Sequence, residues 1–334
     1  MIQTDVLIIG AGPVGLFTIF ECGMLKMNCH VVDSLDFVGG QCTALYPEKP
    51  IYDIPGFPEI EAEKLIHNLE KQALPFNPHY HFGHQVTEVK KEGLHYIATT
   101  SKGTVFKAKV IIIAAGCGAF GPNRPPLENL EKYEATGGVN YLVRTKEDYR
   151  GKKIAIAGGG DSAVDWAIIL AEVTEKLYFI HRRDKFRAAP ESIAKLRKLE
   201  GAGKIEMVIP YQLSSLKGDN GKLKAVELAD LDGNKKELNV DHLLCFFGLS
   251  MELGPIANWG LNLDKTHIAV DAATLETSEK QIYAVGDICT YNGKLKLITC
   301  GFAEAAMAAH SAYNYIHDAP LHFEYSTSKG TPGN

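Results

Sequence analysis

Two glycine-rich turns, each following an apolar strand and opening a helix, constrain this chain more than any other feature. In DVLIIGAGPVGLFTIFECG the pattern predicts a buried strand over residues 5–9, a turn carrying Gly10, Gly12 and Gly15, and then a helix. In that context the first amides of the helix are free to hold a pyrophosphate. The next strand, CHVVD, ends at Asp33, 23 positions after Gly10. A carboxylate there can accept hydrogen bonds from a ribose diol that carries no phosphate.

The second copy runs KKIAIAGGGDSAVDWAIILAEVTEKLYFIHRR, with a strand over residues 153–157, turn residues Gly158, Gly160 and Ala163, and a following strand over 177–180. Counting 23 positions on from Gly158 gives His181, followed by Arg182 and Arg183, with Arg187 close behind. Cations stand where the first copy has its carboxylate. An acid would repel a 2′-phosphate, whereas guanidinium groups grip it through paired, charge-assisted hydrogen bonds. One such turn alone could serve only to pack a helix on a strand. Two with matching offsets and opposite end chemistry imply one site for FAD and a second for NADPH rather than NADH.

The 334 residues suffice for two domains of ordinary size, and 46% apolar with 22% charged residues is a soluble composition. A net charge of -5 argues against a general nucleic-acid binder. The N-terminus runs from Met1 through Gln3, Thr4 and Asp5 directly into a strand, and apolar runs such as 110–115 are too short to cross a bilayer. A soluble, cytoplasmic protein without a membrane partner is expected. The seven cysteines form no Cys-x-x-Cys pair, and an odd number argues against a disulfide framework.

Strand-rich stretches over 86–98 and 107–114 follow the first unit, and another strand and turn, QIYAVGDI, appears only at 281–288. Asp287 thus lies at the C-terminal end of a strand, where ligands bind in open α/β sheets. An Ala-rich helix is expected over about 301–316, and it would point its positive end at the flavin ring. The late segment needs a partner sheet, so the first domain is expected to be discontinuous. The expected fold class is α/β, with two Rossmann-like three-layer nucleotide-binding domains. Residues 1–119 and 248–334 would form the FAD domain and 120–247 the inserted NADPH domain, with GCGAFGP and FFGLS as glycine-containing hinges.

GAGPVG, IIIAAG, GGGDSAVDWA, the HRRDKFRA run and YAVGDI together resemble the thioredoxin-reductase-like flavoproteins across nearly the whole chain. Thioredoxin reductases carry a redox dithiol just before the second glycine turn. Here Gly138, Val139, Asn140, Tyr141, Leu142, Val143, Arg144 and Thr145 occupy that segment, with no cysteine. The other family location for a flavin-facing dithiol supplies Cys42 but has Pro47 five positions later. Disulfide reduction needs two thiols, so neither arrangement operates. Cys42 is expected to be structural, since nothing cationic beside it suggests an activated thiol.

The run GGQCTALYPEKPIYDIPGFP and the late Tyr325, Ser326, Thr327 and Ser328 are similar to those of the thioredoxin-reductase-like ferredoxin-NADP reductases. That resemblance implies Asp33 on the adenosine ribose, and Gln41, Val86, Phe120 and Asp287 around the FAD. It also implies Tyr46 on one face of the flavin ring and Tyr325 of the partner subunit on the other, with Thr327 or Ser328 nearby. A homodimer follows from it, as does a hinge rotation that brings nicotinamide to flavin. His79, His81 and His84 alternate as zinc ligands can, but no carboxylate or thiolate lies near them in sequence, so a cluster without metal is expected.

The implied reaction passes hydride from NADPH to FAD and then single electrons to ferredoxin or flavodoxin, and hydride transfer requires no side-chain acid or base. Two alternatives stay open: an NADPH oxidase or diaphorase using flavodoxin, quinone or oxygen, and a non-catalytic NADPH-binding sensor.

Overall fold

The structure is a computed structural model that describes residues 1–317, excepting the side chains of Ala119, Phe120, Leu249 and Ser250. The chain divides into two compact units, Met1–Phe120 with the segment from Met251 onward, and Gly121–Ser250.

In the discontinuous unit, strands His79–Phe82, Cys29–Asp33, Ile2–Ile9, Val105–Ile113 and Ile282–Ala284 lie side by side and all parallel. Val105–Ile113 also closes an antiparallel meander with His95–Thr100 and Val86–Glu92. Ile8, Ile111, Ile112 and Ile113 are fully buried. That is the continuous apolar pattern of strands covered on both faces. The strand Ile2–Ile9 lies between Cys29–Asp33 on one side and Val105–Ile113 on the other, which opens a crevice at its C-terminal end.

Three element boundaries differ from expectation. The first strand starts at Ile2, because Ile2, Gln3 and Thr4 pair with Phe106, Lys107 and Ala108 despite their polar sequence. The late strand stops at Ala284, ahead of Gly286, whose φ of +76° no strand can carry. The last helix is Ile298–Ala312, followed by a short 3₁₀ turn Tyr313–Tyr315. It packs on the first helix, Pro13–Met24, with the Phe17 and Phe302 rings 5.0 Å apart.

The second unit repeats the design. Strands Val139–Asn140, His242–Phe246, Lys153–Gly158, Lys176–Ile180 and Ile205–Val208 form a parallel sheet, with helices Asp161–Leu170 and Pro190–Gly201. A three-stranded antiparallel sheet, Gln212–Asp219, Lys222–Ala229 and Lys235–Asn239, shares its core through Val226, Leu228 and Leu238. The fold is therefore the doubly wound α/β class anticipated from sequence. No described helix is long and apolar enough to cross a membrane.

Candidate functional site

In the first glycine turn each glycine is required for a different reason. Gly10 has φ +110°, and a Cβ there would lie 2.3 Å from the Ala114 carbonyl oxygen. A Cβ on Gly15 would meet the Gly10 oxygen at 2.0 Å, so this position sets how closely helix and strand approach. Around Gly12 nothing lies within 4 Å of the Cβ position. That open space over the start of the helix is where a backbone can approach a pyrophosphate.

Asp33 closes the turn from the neighbouring strand. Its Oδ2 accepts the Ala11 N–H at 2.6 Å and its Oδ1 the Leu35 N–H at 2.8 Å. Burial raises its pKa, and the backbone hydrogen bonds oppose that rise. Each oxygen retains acceptor capacity for a diol. A second turn backs the first: Gly39 N–H donates to the Ala11 carbonyl at 2.8 Å, and a Cβ on Gly40 would stand 3.2 Å from the Gly12 Cα. The residues present thus fit a dinucleotide, with a cradle open at Gly12 and an acid at its edge.

Gln41 opens the short helix Gln41–Ala44, which holds Cys42 buried with its Sγ 3.9 Å from the Tyr46 hydroxyl. Burial pushes the Cys42 thiol up to about 11 and raises that of Cys117, which hydrogen-bonds Gln41. Both thiols are held protonated, the opposite of an activated nucleophile. The charge of Asp287 reaches Cys42, Tyr46 and Cys117, so the fold gathers Gln41, Cys42, Tyr46, Cys117 and Asp287 in one neighbourhood. Cys117 was not singled out by sequence reasoning, since nothing local marks it. Val86 heads its strand, buried and paired with Thr100. Phe120 lies on Ala119–Pro122, the strand at the first crossing between units. Tyr325, Thr327 and Ser328 lie outside the described residues.

Sequence reasoning also missed what holds Asp287. A Cβ on Gly301 would lie 2.4 Å from Val14 Cγ2, and one on Gly286 would lie 3.4 Å from the same atom. Val14, inside the first glycine turn, therefore wedges between the Asp287 turn and the last helix. Below that turn Glu304 is 2% exposed and accepts the Gly286 N–H at 2.7 Å. One signal was available: Glu304 is the sole acid on an Ala-rich helix whose small-residue face is buried.

In the second unit a Cβ on Gly158 would lie 2.6 Å from the Phe246 oxygen and 2.8 Å from the Ala163 Cβ, while nothing lies within 4 Å of the Gly160 position. Gly159 has a separate role: its Cβ would lie 2.2 Å from the His181 ring. His181 stacks on Phe186 with centroids 5.2 Å apart, and its Nε2 lies 3.2 Å from the Lys185 oxygen. Burial lowers its pKa, so this ring braces the loop as a neutral group. Arg187 N–H donates to the Gly159 oxygen at 2.7 Å, tying the loop to the glycine turn. Arg182, Arg183 and Arg187 are exposed and have no ion-pair partner among the described residues, as is true elsewhere only of Arg144, whereas Arg124, Arg150 and Arg197 are paired. Three uncommitted guanidinium groups beside an open glycine turn suit a phosphate.

The segment preceding this turn is held without sulfur. Val143 is fully buried, Asn140 Nδ2 donates to the Gly137 oxygen at 2.7 Å, and the Tyr141 hydroxyl donates to Glu134, which also binds Arg124. His79, His81 and His84 gain a fourth member, His30, whose Nδ1 lies 2.9 Å from His81 Nε2 and whose ring stacks on His79 at 4.7 Å. Among the described residues no group of three or more His, Cys, Asp or Glu is arranged to hold a metal ion.

The chain belongs to the pyridine nucleotide-disulphide oxidoreductase family, whose sequence model matches residues 4–312. A ferredoxin--NADP reductase of Paramagnetospirillum magneticum is 58% identical over 332 residues, covering 99% of this chain and 98% of the relative. Those of Rickettsia bellii and Rhodospirillum rubrum are 56% and 55% identical, each over 99% of this chain and at least 97% of the relative. Among solved structures, Lactococcus lactis thioredoxin reductase superposes with a TM-score of 0.81 at 25% identity, covering 94% of this chain and 99% of that one.

Proposed function

We propose that this chain is a ferredoxin–NADP reductase, moving electrons between NADPH and ferredoxin through FAD. The observation that carries the reading is a pair of glycine cradles with opposite edge chemistry. Asp33 edges one cradle, and Arg182, Arg183 and Arg187, without ion-pair partners among the described residues, edge the other. The three relatives described above are ferredoxin--NADP reductases, which supports the same choice.

In this reading Gly10, Gly12, Gly15 and Asp33 hold the adenosine diphosphate half of FAD, Gln41, Val86, Phe120 and Asp287 lie around the FAD, and Tyr46 stacks on the flavin ring. Gly158, Gly160 and Ala163 receive the NADPH pyrophosphate, and His181 braces the loop from which Arg182, Arg183 and Arg187 reach the 2′-phosphate. When bound, FAD supplies both hydride acceptance and single-electron release. The protein's task is to orient, to exclude water and to present an edge to the protein partner. The thiols of Cys42 and Cys117, kept protonated by burial, take no part. The tail residues Tyr325, Thr327 and Ser328, a homodimeric assembly and a cytoplasmic location belong to the same proposal.

Anaerobic stopped-flow mixing of the NADPH-reduced protein with ferredoxin tests it. Rapid, salt-sensitive reoxidation by ferredoxin is expected; fast reaction with oxygen and no response to ferredoxin would sink the reading. Arg183→Ala should raise the KM for NADPH about tenfold or more through loss of charged hydrogen bonds, and leave that for NADH nearly unchanged.

A further inference from the structure

A buried charge pair beneath the Gly286–Ile288 turn has no role in the reading above. On the last helix Glu304 sits among Gly301, Ala305, Ala308 and Ala309, all buried. Its Oε2 accepts the Gly286 N–H at 2.7 Å, and its Oε1 accepts the Tyr291 hydroxyl at 2.8 Å together with the Lys294 ammonium. The Lys294 and Glu304 side chains are 5% and 3% exposed. No other ion pair among the described residues has both partners so withdrawn from water.

Burying two opposite charges is costly, and their attraction offsets the cost only when further hydrogen bonds complete the site. An apolar pair of similar volume would fill the same space without that cost. It could not hold the Gly286 N–H. That amide belongs to a turn with φ +76° at Gly286, packed on Val14 and carrying Asp287, whose charge reaches Cys42, Tyr46 and Cys117. Lys294 and Tyr291 fix the carboxylate, and the carboxylate fixes the turn.

We propose that Glu304, locked by Lys294 and Tyr291, is a positioning residue that sets Asp287 in the FAD site and thereby governs flavin retention and flavin potential. The proposal rests on the reading that this unit binds FAD. It explains why a charge pair, rather than two apolar side chains, fills this part of the core.

The test compares the wild-type holoprotein with two double variants, Glu304→Leu/Lys294→Met and Glu304→Gln/Lys294→Met. Both remove the buried charges, but only the glutamine keeps an oxygen for the Gly286 N–H. Both are expected to fold, because neither leaves a charge unpaired, with the leucine variant's urea midpoint the lower of the two, since its Gly286 N–H loses its acceptor. The leucine variant should bind FAD about tenfold more weakly, with a shifted flavin absorption band and midpoint potential, and the glutamine variant should recover most of the loss. Wild-type FAD affinity, spectrum and potential in the leucine variant would overturn the proposal, as would equal losses in both variants. Should the leucine variant fail to fold, Tyr291→Phe removes one anchor alone: a displaced flavin spectrum and potential are expected, and an unchanged pair overturns the proposal. A wild-type protein that takes up no FAD would sink the FAD reading instead.

Discussion

At the residue scale, glycines of one motif perform separable work. Gly12 has φ -70°, a value any residue adopts, and its Cβ position is open, so Gly12→Ala should fold with a stability change within about 0.5 kcal/mol. Its methyl group would nevertheless occupy the ligand's space, and retained flavin should fall sharply. Gly10→Ala meets both a φ of +110° and the Ala114 carbonyl, so it should lose stability as well as flavin. Urea titration beside flavin content separates the two outcomes. Histidine 30 gives a pH prediction: burial, then the charges of His79 and His81, lower its pKa from 6.5 to about 4. The folded state binds this proton less readily than the unfolded chain. Its contribution is therefore complete above 6.5 and is lost as pH falls from there toward about 4. His30→Asn should flatten the fall in urea midpoint between about pH 7 and about pH 5; an equally steep fall in the variant contradicts the assignment.

At the scale of elements, the last helix shows packing overruling propensity. Alanine is preferred to glycine inside a helix by about 1 kcal/mol, yet a methyl group at 301 would overlap Val14 Cγ2 at 2.4 Å. Overpacking of that kind costs about 1–3 kcal/mol, so Gly301→Ala should destabilise the protein and weaken FAD binding together. Adding Val14→Ala removes the overlapping methyls and should recover part of both losses. A double-mutant cycle with no coupling would show that the contact does not matter. The sequence signalled this helix through its alanines. It could not signal that Gly301 is a contact surface, because the partner residue is 287 positions earlier in the chain.

At the scale of the whole molecule, the two units carry one tryptophan each: Trp166 in Gly121–Ser250 and Trp259 in the discontinuous unit. Each can be followed in the variant lacking the other, Trp259→Phe or Trp166→Phe. FAD should stabilise the transition reported by Trp259 and NADP that reported by Trp166, each by about 2.7 kcal/mol at a hundredfold excess over Kd. A single transition raised equally by either ligand would contradict this division of binding. The fold class, both cradles, Asp33 and the arginine loop were legible in sequence. Each is written in contiguous residues at fixed spacing, governed by local backbone and charge rules. Tertiary structure alone revealed His30 beside His81, Cys117 beside Gln41, His181 turned under Gly159, and Glu304 with Lys294 beneath Asp287. Those contacts join residues far apart in the chain, and whether a polar side chain is buried, paired or exposed is decided only when the elements around it pack.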